Sequence, residues 1–321
     1  MPQNELLFFV FFNVLILGLL ALDLGVFHKK DQTVSLKDAT LWSAIWIVLS
    51  FCFNAGLFLW VQGNTGSTEV ATRTSLEFLT GYLIEKALSM DNIFVFVLIF
   101  NYFGVPAQYH HKVLFWGVLG ALLFRTVFII TGAALIAQFE WVLYIFGAIL
   151  IYSGWKMMRQ EEMQVHPDKN LFIRAARKLF PVETGFPTSD FFVMKNGRRA
   201  ITSMFLVLIT VVTTDIIFAV DSIPAVFAIT RDPFIVYSSN VFAILGLRSL
   251  YFLLAGIMST FHYLKHGLSI ILIFVGIKML LETGQFVHIP IGASLGVIGV
   301  VLTTSIWMSI VRKKNISKTK F

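Results

Sequence analysis

The segment Glu85-Lys86-Ala87-Leu88-Ser89-Met90-Asp91-Asn92-Ile93-Phe94 has a counterpart in Asp215-Ile216-Ile217-Phe218-Ala219-Val220-Asp221-Ser222-Ile223-Pro224. Each reads acid, five residues, acid, a small polar residue and Ile, at a constant offset of 130 residues. The correspondence extends outward. Leu119-Gly120 precedes Arg125 as Leu245-Gly246 precedes Arg248. Further on, Ile149-Leu150-Ile151-Tyr152-Ser153-Gly154-Trp155-Lys156-Met157 parallels Ile271-Leu272-Ile273-Phe274-Val275-Gly276-Ile277-Lys278-Met279. A duplicated supersecondary unit is the simplest reading of such self-similarity.

The surroundings of both segments are apolar. The 321 residues are 57% hydrophobic and 13% charged, against about 45–50% and about 25% for soluble domains. This composition excludes disorder and an ordinary soluble enzyme. Nine runs of roughly 20 apolar residues lie near 6–27, 41–61, 76–102, 113–137, 141–158, 201–229, 234–260, 264–281 and 289–311. The expected fold is all-α: a polytopic membrane protein with about nine transmembrane helices, forming one transmembrane domain over 1–321. Within it, 76–158 is the first three-helix repeat, 159–200 a loop, 201–282 the second repeat and 289–311 the last helix. Met1–Glu5 lacks the positive charge of a signal peptide, so the first run is expected to stay as a helix. Cys52 is the single cysteine, and no CxxC or Cys/His cluster is present for zinc or iron–sulfur binding. The net charge of +7 implies no nucleic-acid partner, because in a membrane chain the basic residues set orientation.

With the N-terminus outside, nineteen of the 25 Lys and Arg fall on inner loops and the C-terminal tail, and only Arg73 and Arg231 on outer loops. Lys86, Arg125, Arg248 and Lys278 lie within spans. The expectation is therefore N-out and C-in. The inner loop contains Leu171, Phe172, Ala175, Ala176 and Leu179 at helical spacing, flanked by Arg174, Arg177 and Lys178 and ended by Pro181. It predicts a short amphipathic helix on the inner leaflet. Each repeat holds an odd number of spans, so the two halves should be inverted. Inverted repeats around a midplane site are a signature of secondary transporters.

Glu85, Asp91, Asp215 and Asp221 fall well inside their spans. An acid at a helix centre costs about 2.5–3.5 kcal/mol on the insertion scale, so a functional site is the default explanation. Hard divalent cations such as Mn²⁺ and Mg²⁺ seek carboxylate, carbonyl and water oxygens, and Asn92 and Ser222 add neutral oxygens. Positions i and i+6 stand about 9 Å apart on an ideal helix, so one helix cannot offer both acids to one ion. The expected arrangement has Asp91 and Asp221 nearest the ion, with Glu85 and Asp215 as further ligands or proton carriers. Pro224 is expected to free the Val220 carbonyl by breaking a helix. Arg125 and Arg248 are expected to hold carboxylates in place, and Lys278 to snorkel from a helix end. Asp23, Asn54 and Asn240 are secondary candidates. His110-His111 is not expected to bind metal. No GxSxG or HExxH motif is present, so the chain does not read as an enzyme.

At these residues the sequence resembles the TerC family, in its Alx-type branch. The similarity rests on Glu85–Phe94, Asp215–Pro224, Asp232-Pro233-Phe234-Ile235-Val236, Ser239–Tyr251 and Gly276-Ile277-Lys278-Met279-Leu280, and extends over nearly the whole chain. The resemblance implies a bacterial inner-membrane protein linked to Mn²⁺ efflux and to metal supply for exported enzymes. It maps Glu85, Asp91, Asn92, Asp215, Asp221 and Ser222 onto the family's intramembrane acidic motifs. One position departs: Val212 stands where the family often has Glu. The expected function is export of a divalent cation, most simply Mn²⁺, with inward protons as the coupling ion and no bound cofactor. The alternative is a membrane-embedded assembly or metallation factor with membrane or exported-protein partners.

Overall fold

The computed structural model describes residues 10, 12–20, 35–159, 170–183, 185, 189–195, 198–255 and 263–318. The helices are α1 (residues 12–20), α2 (Leu36–Thr65), α3 (Thr68–Phe103), α4 (His110–Gln138), α5 (Val142–Arg159), α6 (Leu171–Leu179), α7 (Ser203–Phe227), α8 (Pro233–Ile244), α9 (Leu247–Ala255), α10 (Leu264–Thr283) and α11 (Ile291–Lys318). Local chemistry sets their ends. Ser35 and Ser67 cap α2 and α3 by accepting from Asp38 N and Val70 N, a role their short hydroxyl side chains suit. Gly66 and Gly104 close the same helices in the left-handed conformation, φ 66° each. Asp232 caps α8, with Pro233 in its first turn.

Much of the outward surface is apolar. Val48 and Leu59 on α2, Leu123 and Ile130 on α4, and Val300 and Trp307 on α11 are all exposed. Apolar residues around a whole helix fit a lipid environment. Among the described residues, five segments are long and apolar enough to cross a bilayer: α2, Ala107–Gln138, α7, α10 and Ile291–Arg312. A sixth forms if α8 and α9, bent by 42°, count as one span. The chain is therefore a helical, multi-pass integral membrane protein, and five or six of the nine expected spans stand out among the described residues. Helix α3, with Glu85, Lys86 and Asp91 at its middle, and the shorter α5 are not in the set. Most of the first expected span, Asp23 included, lies outside the described residues.

Two more expectations change. A three-stranded sheet follows α6, so the fold is not purely helical: β1 (Val182–Glu183), β2 (Phe192–Lys195) and β3 (Arg198–Thr202). They lie in the order β1-β3-β2, with β1 parallel and β2 antiparallel to β3. Helix α7 runs through Pro224 to Phe227. The break falls instead at Leu245-Gly246, between α8 and α9.

Helix α3 packs along α7, and α5 along α10. α4 leans on α7, and α8 on α3. The α5–α10 approach is close at small residues. A Cβ on Gly147 would lie 3.1 Å from the Gly276 carbonyl, and one on Gly154 2.7 Å from that of Ser269. Helix α6 buries Ile173 and Ala176 against Ile201 and Leu206, and Asn170 Nδ2 donates to Thr213 Oγ1 at 2.7 Å. It therefore stands beside the first turns of α7, with Leu171, Phe172 and Leu179 exposed.

Candidate functional site

Two acid-bearing arrangements lie side by side between α3 and α7. The first is centred on Arg125, which α4 carries inward where it packs on α7. Its guanidinium is 2% exposed. Nη1 donates to Glu85 Oε1, to Ser222 Oγ at 3.1 Å and to Asn240 Oδ1 at 3.2 Å. Nε and Nη2 donate to the two oxygens of Asp215 at 3.3 and 3.2 Å. Asn92 Nδ2 also donates to Asp215 Oδ1, at 3.3 Å. One cation thus ties an acid from each repeated segment to α8. Its single charge faces two buried acids, in surroundings where charges are screened weakly. Glu85 Oε2 has no hydrogen-bond partner.

The second arrangement is a small cavity of ≈ 20 Å³. Asp91 and Asn92 of α3 and Asp221 and Ser222 of α7 form its polar lining, and Leu88, Met157, Phe218 and Leu272 its apolar walls. A space of this size holds one water-sized guest. Ser153 Oγ, on α5, donates to Asp221 Oδ1 at 2.6 Å. Asp91 Oδ2 is buried and accepts no hydrogen bond. An unsatisfied buried acceptor of this kind costs about 1–3 kcal/mol, more when charged. A buried acceptor without a partner, on a residue that lines a cavity, suits a positively charged guest.

All six predicted residues therefore cluster, but they divide. Asp91, Asn92, Asp221 and Ser222 line the cavity; Glu85 and Asp215 face Arg125. Among the described residues no three His, Cys, Asp or Glu side chains converge on one point that could hold a metal ion. A single four-carboxylate cage, with Glu85 and Asp215 as added ligands, is not what this conformation presents, because Arg125 occupies both acids.

Sequence reasoning left out Ser153, although it stands in a repeated segment, and gave Asn240 only a secondary place. Asn54 Oδ1 accepts from Ser75 Oγ at 3.0 Å and joins α2 to α3 instead. Lys278 does not snorkel. It is 2% exposed, and its Nζ donates to the Ala228 carbonyl past the end of α7 at 3.1 Å, where a cation suits the helix dipole. His110 lies between the Val105 carbonyl and the Tyr251 hydroxyl. Val212 packs on α4, 3.0 Å from where a Cβ on Gly120 would stand, so a longer acidic side chain there would press on that helix.

Residues 70–317 match the sequence profile of the family described as Integral membrane protein TerC family. An uncharacterized membrane protein of Myxococcus xanthus, STKORF319, is 46% identical over 304 residues, covering 95% of this chain and 92% of that protein. A protein of Escherichia coli K12 named as a membrane-bound redox modulator, Alx, is 48% identical over 297 residues, covering 92% of each chain. A Rickettsia bellii membrane protein is 40% identical over 309 residues, covering 96% of this chain and 99% of its own. No solved structure matches the chain.

Proposed function

From the premise that the chain belongs to the TerC family of integral membrane proteins, we propose that it is a secondary transporter exporting a divalent metal cation, Mn²⁺ foremost, from the cytoplasm. The observation that carries this reading is the cavity between α3 and α7, with Asp91 Oδ2 buried and unpartnered beside Asp221. Asp91 and Asp221 are the core ligands. Asn92 retains its amide oxygen, and Ser222 its hydroxyl, as neutral donors to the ion. The cavity is too small for a hydrated ion, so the guest sheds most of its water. Mg²⁺ dehydrates reluctantly, which favours Mn²⁺. Glu85 and Asp215 stand one step removed: they reach an ion only when Arg125 releases them.

The helix contacts support reading the halves as inverted repeats. Asn92 meets Asp215, and Glu85 and Ser222 meet on Arg125. The 130-residue offset turns the first pair into the second. At the 122-residue offset that relates Ile149 to Ile271, the close approach of Gly147 to Gly276 turns into that of Ser269 to Gly154. Rocking of one repeat against the other would expose the cavity to each side in turn. With the N-terminus outside a bacterial inner membrane, efflux opposes about 2.3 kcal/mol per charge per 100 mV, twice over for a divalent ion. Inward protons on the same carboxylates would offset this.

The name of the Escherichia coli relative attaches a redox role to that protein. We read such an effect in this chain as a consequence of metal supply, since Cys52 is its one cysteine and forms no intrachain disulfide. A second reading, a metallation or assembly factor, draws on the apolar face that α6 exposes at Leu171, Phe172 and Leu179. It expects substitutions on that face to impair function more than substitutions of the acids. The deciding experiment is Mn²⁺ transport in inverted vesicles. Asp91→Asn and Asp221→Asn should each abolish it at unchanged protein level, and full activity in either would refute the assignment.

A further inference from the structure

Between α8 and α9 the chain bends by 42° at Leu245-Gly246. Neither helix is long enough to cross a bilayer alone, so if the two count as one span the break interrupts it. A helix that ends there leaves orphan carbonyls and the negative end of its dipole inside the protein. Lys86 reaches this end from α3. Its Nζ donates to the Ala243 carbonyl at 3.2 Å and to the Leu245 carbonyl at 3.5 Å.

The turn is set by its own residues. Gly246 takes φ 79°, and a Cβ there would lie 2.6 Å from the Trp46 ring. Ser249 Oγ donates to the Gly246 carbonyl at 2.8 Å, which anchors the start of α9. Glu85, the chain neighbour of Lys86, is held by Arg125. The carbonyls are the partners that the Lys86 ammonium has been given. The second repeat has Ile216 at the matching position, so this contact is not inherited from the duplication.

In broken membrane helices, half-helix C-termini and unwound carbonyls commonly hold a free cation. An ammonium is a compact point charge and asks the same of carbonyl oxygens. We propose that the C-terminal end of α8 is a monovalent-cation site, and that the Lys86 ammonium is its tethered occupant. With Lys86 truncated, a small cation from solution takes its place and restores the bend. This inference is independent of what the carboxylate cavity transports.

The test is thermal unfolding of the purified full chain in detergent, with sodium, potassium or ammonium chloride titrated against choline chloride at constant ionic strength. Lys86→Ala should unfold at a lower temperature than the native chain in choline. One of the small cations should raise its midpoint saturably, by several degrees, while the native chain stays indifferent to cation identity. Should Lys86→Ala fail to accumulate, Lys86→Ser, which restores a polar group without charge, goes through the same titration. Equal indifference of the variant to all four salts, or equal stabilisation of the native chain, would overturn the proposal.

Discussion

Asn92 Nδ2 donates to Asp215 Oδ1 at 3.3 Å, and so joins α3 to α7 at the level of their acids. The same carboxylate receives two bonds from Arg125. Toward the other end of α3, Thr230 Oγ1 donates to Glu77 Oε2 at 2.7 Å. The two links stand at equal separations along both segments, so they fix an antiparallel register between α3 and α7. That register sets Asp91 and Asp221 beside one cavity.

Arg125 should be the most sensitive basic residue for stability. Removing one partner of a buried ion pair typically costs about 3–5 kcal/mol, because the remaining charge stays buried. Arg125→Met strands Glu85 and Asp215 together. A lowered unfolding temperature in detergent is expected, with partial recovery in the double variant Arg125→Met, Glu85→Gln. A single variant as stable as the native chain would mean that the guanidinium does not hold the two acids.

The α5–α10 contact predicts a position-specific penalty for added methyl groups. A Cβ on Gly154 meets the main-chain carbonyl of Ser269 at 2.7 Å, whereas one on Gly56 meets nothing within 4 Å. Overpacking costs about 1–3 kcal/mol, and a carbonyl held in a helix cannot swing aside. Gly154→Ala should lower the unfolding midpoint and Gly56→Ala should not, as compared in parallel melts. Equal effects would remove the close approach from the account.

Backbone strain and collision separate at two left-handed glycines. Gly66 has φ 66° with open space around it, and Gly246 has φ 79° with Trp46 against it. Left-handed backbone costs an L-residue about 1–2 kcal/mol. Gly66→Ala should lose about that much, and Gly246→Ala distinctly more. Unfolding of the two variants side by side measures the difference, and Trp46→Ala should narrow it.

How much of this was legible in the sequence follows from what each feature needs. Apolar runs locate helices because burial in lipid needs only composition and length, and the runs in described residues are helical apart from Trp141 and Ile289-Pro290 at run starts, the short strand at Ile201-Thr202, and the turns at 228–229 and Leu245-Gly246. Counting spans by apolarity falters at α3, whose midpoint carries Glu85, Lys86 and Asp91. The repeated acids point to Asp91 and Asp221 because a duplicated charge in lipid is costly to keep without use. That Arg125 holds carboxylates was expected; that these are Glu85 and Asp215 could not be read, since it depends on where α4 packs on α7. Leu119-Gly120 and Leu245-Gly246 share a dipeptide, yet only the second turns; nothing in the dipeptide accounts for it. The β2–β3 pairing did carry a signal, for Asn196-Gly197 suits a two-residue hairpin turn. On α6 the buried stripe is Ile173 and Ala176, not the Leu171 and Leu179 side, because Ile201 and Leu206 are there to receive it.

Proton coupling carries its own test. Vesicles loaded at different pH, with the membrane potential clamped, should move Mn²⁺ faster when protons run opposite to the metal. Transport indifferent to the imposed gradient would exclude protons as the counter-ion and leave the cavity assignment standing.

Mn²⁺-soaked crystals measured at the manganese absorption edge address the binding site itself. A single anomalous peak within bonding distance of the Asp91 and Asp221 carboxylates, lost in Asp91→Asn, is the predicted result. Manganese found only at surface carboxylates, with the space between α3 and α7 empty at saturating metal, would contradict the claim that this cavity receives the ion.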